Sequence, residues 1–131
     1  MMRLIRVVVL ALTVLAMAVP AVAAVRTGTY AGRDVSFVAT SRAIEKFKIH
    51  VVYVCGPQGS QRVPQTLKVS GIALSARGAF RFKMEQGPLI LTVKGNVTGG
   101  RATGTADGFG DIGAGSSDCG TGTVRWSARH R

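Results

Sequence analysis

Carboxylates are scarce in this chain: Asp34, Glu45, Glu85, Asp107, Asp111 and Asp118 make six, against 17 lysines and arginines, for a formal charge of +11. A glycoside hydrolase holds two carboxyl groups about 5 to 9.5 Å apart across a cleft. Glu45 and Glu85 lie beside lysines on strand faces expected to look outward, so surface charge is the expected role for both. Histidine is rarer still. His50 sits in a basic run and His130 beside the chain end, so neither has the fixed partner that a general base requires. Gly-x-Ser-x-Gly, Cys-x-x-Cys and His-x-x-x-His spacings are all missing, which leaves no basis for a serine nucleophile, a redox dithiol or a zinc site. Asp107-Gly108-Phe109-Gly110-Asp111 offers hard oxygens suited to calcium. It occurs once, however, and with Asp118 it supplies three side chains where about six or more oxygens are needed. No enzyme, metal or cofactor is expected.

Aromatic residues form only 6% of the chain. Phe37, Phe47, Tyr53, Phe80, Phe82 and Trp126 fall on faces expected to point inward, which removes the stacking platforms that single-stranded nucleic acid uses. Sequence-specific nucleic-acid recognition is therefore not expected.

One long apolar run is present, Val7 to Val19. Arg3 and Arg6 precede it, Pro20 breaks it, and Ala21-Val22-Ala23-Ala24 follows with small residues at cleavage spacing. Met1 to Ala24 thus reads as a secretory signal peptide cut after Ala23 or Ala24. These thirteen residues, apolar but for Thr13, fall short of the ~20 that cross a bilayer, so no transmembrane segment is expected after cleavage. The expected location is secreted, periplasmic or cell-envelope. Residues 25–131, about 107, suit a single domain with one core. Without Arg3 and Arg6 the 17 basic residues become 15, which leaves a formal charge of +9 against the same 6 acidic ones. All 17 glycines fall in this part, favouring tight turns over long helices.

Cys55 and Cys119 are the only cysteines, and an oxidising compartment lets such a pair close. A Cys55–Cys119 disulfide is expected, with a structural role.

Alternation with period two runs through the domain, and no window of a dozen residues carries a helical stripe. Val35, Phe37 and Ala39 share one face, as do Phe47, Ile49, Val51, Tyr53 and Cys55 in the longest strand. Leu67 and Val69 restart the pattern after the breakers Gly56-Pro57-Gln58-Gly59-Ser60. Phe80, Phe82 and Met84 then turn at Gly87-Pro88 into Leu89, Leu91, Val93 and Val97. Ala102, Gly104 and Ala106 give a small inner face, for which Trp126 is the expected filler. Asp107 to Gly122 reads as one long glycine-rich loop before Val124, Trp126 and Ala128. The fold class is all-β, an antiparallel meander of about eight strands forming a small β-barrel or a β-sandwich.

Gly28-Thr29-Tyr30-Ala31-Gly32, Val35-Ser36-Phe37, Cys55, Ser70-Gly71-Ile72, Gly95-x-Val97-x-Gly99 and the ending Cys119-x-x-Gly122-x-Val124-x-Trp126-x-Ala128-Arg129 together resemble a group of small exported bacterial β-domains. The resemblance covers nearly the whole of residues 25–131 and implies a paired-cysteine β-domain of bacterial origin. It implies no catalytic or binding residue. The glycine-rich first strand is also similar to that of avidin-like and lipocalin-like barrels, from which no ligand is carried over.

Function is read from charge. Lys46, Lys48, Lys68, Arg81, Lys83, Lys94 and Arg125 all fall on expected outer faces, with His50 among them, so the exterior should attract anionic material. The expected function is non-enzymatic binding of an anionic envelope polymer or polysaccharide. A carrier with an apolar pocket inside a barrel is the alternative, and a hydrolase built on the glycine-rich stretch the third reading.

Overall fold

The computed structural model describes residues 25–56, 61–111 and 119–131. The expected leader lies outside these residues. Among the described residues nine strands follow in order: β1 Gly28–Ala31, β2 Val35–Ala39, β3 Ala43–Cys55, β4 Gln61–Val69, β5 Ile72–Ala73, β6 Ala79–Gln86, β7 Leu89–Thr98, β8 Arg101–Gly110 and β9 Cys119–His130. No helix among the described residues is long and apolar enough to cross a membrane.

All strand pairs are antiparallel and form one sheet, in the order β4-β3-β2-β1-β9-β8-β7-β6, with β5 on β3. The meander therefore does not split into two sheets, and among the described residues no ladder joins β4 to β6, so the curled sheet stops as a partial ring. What curls it is β9. It pairs with β8 over most of its length, with β1 through Tyr30↔His130 and Ala31↔Arg129, and with β3 through Val54↔Gly120. The short β1–β2 hairpin is thus wedged between β3 and β9, which diverge from the Val54↔Gly120 pair.

Three boundaries differ from the sequence reading, the simplest being β4, which begins at Gln61 directly after the breaker residues and not near Leu67. β3 begins at Ala43 because of a bulge: Ser36 pairs with Lys48 and Val38 with Glu45, so Phe37 alone faces both Lys46 and Phe47. Lys46 takes a left-handed backbone, φ 50°, and the extra residue slips the alternation so that Ile44 and Phe47 both point inward. The third difference is the expected loop from Asp107 to Gly122. β8 continues to Gly110 and β9 starts at Cys119, with Asp107↔Thr123 and Gly108↔Gly122 paired in the ladder. Gly108 belongs there because Tyr53 lies over it; a Cβ would come within 2.6 Å of Tyr53 Oη.

The core is aromatic. Tyr30, Phe37, Phe47, Phe80 and Trp126 pack with ring centroids 5.0 to 6.3 Å apart. Trp126 fills the space above the small face of β8, as the sequence implies. Phe80, Gly95, Gly104 and Trp126 form one cross-strand row, so two large rings lean inward over two glycines. The Trp126 indole N–H is buried without an acceptor among the described residues.

Two buried tyrosines tie distant parts together. Tyr30 Oη shares its one proton between the carbonyls of Arg26 at 2.6 Å and Gly99 at 2.7 Å, and Tyr53 Oη donates to that of Ile90 at 3.0 Å. Burial pushes both phenols above their usual range, with Arg26 partly opposing this at Tyr30. The unfolded chain therefore loses these protons first as pH rises. Their contribution to stability is complete below the ordinary value of 10.0 and is lost as pH climbs through the folded values. Urea titrations across pH 9 to about 11.5 should show stability falling, less steeply in a Tyr30→Phe, Tyr53→Phe variant. Equal slopes for the variant and the parent would refute this.

Candidate functional site

Alternation on a curled sheet sends every second side chain outward, and register decides which of these become neighbours. The expected basic residues divide between two stretches of the outer surface. On β2, β3 and β4, Ser36, Lys48 and Lys68 stand in one cross-strand row. The bulge brings Lys46 beside them, its backbone N–H donating to Ser70 Oγ at 2.9 Å. Glu45 accepts from the Gly71 N–H at 2.9 Å, which fixes the turn carrying Ser70. These residues enclose an open cleft of about 400 Å³ with three ammonium groups and two hydroxyls around it. His50 lies on the next row, where its Nδ1 meets Thr66 Oγ1 at 3.1 Å.

The second stretch spans β6 to β9. Arg81, Lys94, Thr105 and Arg125 form one row, and Lys83, Thr92, Asp107 and Thr123 the next. Small hydroxyl side chains between the longer cations leave a groove of about 450 Å³ over β6–β9. Asp107 accepts a long 3.4 Å bond from Thr123 Oγ1.

Three outward cross-strand pairs carry the same sign: Lys48 with Lys68, Arg81 with Lys94, and Arg101 with Arg129. All six side chains are exposed. Like charges directly opposite each other on a sheet oppose its pairing. Strand stability alone therefore gives no reason for this arrangement.

Cys55 and Cys119 are bonded, with Cα atoms 4.1 Å apart, beside the single Val54↔Gly120 pair. Among the described residues no three His, Cys, Asp or Glu side chains cluster to hold a metal ion. Asp118, one of the three aspartates weighed for calcium, lies outside the described residues. Asp34 and His50 line a common cleft of about 260 Å³ between β3 and β9. The imidazole is turned to Thr66, and only the His50 backbone N–H reaches Asp34, at its carbonyl.

One residue that sequence reasoning placed in a loop belongs to the second surface. Phe109 is 56% exposed on the outer side of β8. The signal was available: Thr103, Thr105, Asp107 and Phe109 continue one parity while Ala102, Gly104, Ala106 and Gly108 continue the other. The glycines at 108 and 110 disguised the strand as a turn-rich loop. Compared with known proteins, the chain matches no family model, no curated protein and no solved structure.

Proposed function

We propose that this is an exported, non-enzymatic binding domain that holds anionic envelope or extracellular polymer on its basic exterior. The observation that carries this reading is the set of three same-sign pairs, Lys48/Lys68, Arg81/Lys94 and Arg101/Arg129, lined up across neighbouring strands. Alone, each pair repels. A polyanion laid across the strands turns each repulsion into two attractions, and the formal excess of cations draws it in from a distance. The carrier alternative has no comparable support, because packed rings of Tyr30, Phe37, Phe47, Phe80 and Trp126 occupy the interior where its ligand would sit.

The test is chromatography of the mature domain on an immobilised anionic polysaccharide. Retention at ~10 mM salt and release well before ~1 M are expected, since the screening length shrinks from about 30 to 3 Å over that range. Free passage at the lower concentration would overturn the reading. The variant Lys48→Gln, Lys68→Gln, Arg81→Gln, Lys94→Gln should elute markedly earlier while melting no lower than the parent, because the substitutions relieve repulsion.

A further inference from the structure

We infer that the groove over β6–β9 is a subsite for a carboxylated sugar of an anionic polysaccharide, with Phe109 as the surface on which a sugar ring stacks. The inference rests on the proposed function and narrows it to one surface and one ligand class. The two ends of the groove differ in chemistry. At one end Phe109 pairs across the strands with Ile90, and at the other Lys94 pairs with Arg81. Ile90 and Lys94 are four residues apart on β7, which sets the ends roughly 13 Å from each other at ~3.3 Å per residue. That span takes more than one sugar ring.

Phe109 is one of only two large apolar side chains exposed among the described residues, the other being Val54 at 38%. A phenyl ring left in water on a strand whose other outward neighbours are polar gains by covering. The C–H face of a pyranose offers an apolar surface of that kind. Between the two ends, the floor is set by Thr92, Thr105, Thr123 and Asp107. Short hydroxyls present hydrogen-bonding groups without filling the groove, and the weak Thr123–Asp107 contact leaves that carboxylate able to accept from a ligand. Asp107 also separates the ligand classes. A sugar has hydroxyls to donate to it, whereas a phosphodiester has no donor and brings a second negative charge. A hydroxyl-rich chain with a carboxylate at intervals satisfies the whole groove: a ring on Phe109, hydroxyls on Asp107 and the threonines, and a carboxylate on Arg81 and Lys94.

The mature domain is titrated by calorimetry with oligogalacturonate, with its methyl-esterified form and with a thymidine oligonucleotide, all at one fixed salt concentration. Oligogalacturonate is expected to bind more tightly than either. Phe109→Ala should weaken it about 10-fold, the scale of losing one aromatic stacking contact, with an unchanged salt slope and melting temperature. Lys94→Gln should instead reduce the salt slope. Asp107→Asn should narrow the preference for oligogalacturonate over the oligonucleotide. If Phe109→Ala changes nothing while Lys94→Gln weakens binding, or if the oligonucleotide binds as well as oligogalacturonate, the groove is not a sugar subsite although the basic surface still binds polyanions. If no polyanion binds at low salt, both the subsite and the proposed function fall.

Discussion

Opening the Cys55–Cys119 bond should lower the melting temperature by roughly 15 to 25 °C. The bond joins residues 64 apart in sequence. Closing a loop of that length removes unfolded-chain entropy worth ~4 kcal/mol, a large part of what a small domain has in total. Its position adds a native-state reason. Among the described residues β3 and β9 share one ladder pair, Val54↔Gly120, and the bonded cysteines adjoin it. Without the bond that end of the seam depends on a single pair beside a diverging gap. Thermal melts followed by circular dichroism, with and without reductant, should be compared with those of a Cys55→Ser, Cys119→Ser variant. Coincident melts for the oxidised, reduced and serine forms would show that the bond contributes nothing.

Gly104→Ala should cost about 3 kcal/mol, the upper end of the usual range for overpacking, although it adds one methyl group. A Cβ at Gly104 overlaps both the Lys94 carbonyl and the Trp126 ring. The carbonyl belongs to the β7–β8 ladder and cannot move without unpairing it. Gly95→Ala meets the rings of Phe80 and Trp126 instead, which can rotate, so it should cost less. Trp126→Ala should cost about 3 to 5 kcal/mol by leaving an empty space above the two glycines. Combining it with Gly95→Ala should recover part of that loss, while combining it with Gly104→Ala should not, because the carbonyl remains. Urea titrations of the five variants check the order. Gly95→Ala proving the more damaging, or Gly104→Ala being rescued by loss of Trp126, would refute the assigned packing.

Much of this architecture is legible without coordinates, and the part that is not has identifiable physical causes. Alternation placed Phe47 to Cys55, Phe80 to Met84 and Leu89 to Val97 with their inner faces right, because every other residue there meets a packed interior. Small residues at 102, 104 and 106 announced a large partner, and Trp126 is that partner. The bulge at Lys46 was hidden because it breaks the same period that reveals strands. The course of the sheet was hidden for a different reason: whether a meander closes or splits depends on what its last strand pairs with, and pairing between Tyr30 and His130 leaves no local trace. The same limit applies to the basic residues. Parity shows that Lys48, Lys68, Arg81 and Lys94 face outward, but only register shows that they oppose each other in pairs, and only the extent of β8 adds Phe109.

The place of β9 also determines how the domain can form. The N-terminal strands β1 to β5 and the later strands β6 to β8 each pair among themselves, yet within the sheet order they meet only through β9, the last strand in the chain. Until it arrives no strand ladder joins the two groups, whose contacts are then side-chain ones such as Phe37 and Phe47 on Phe80, and its insertion joins partners about a hundred residues apart, as Tyr30 and His130 are. Such distant pairings are slow to find. Folding therefore completes from the C-terminal end, and a chain emerging N-terminus first cannot bury Trp126 or bring Cys119 to Cys55 until almost all of it is through.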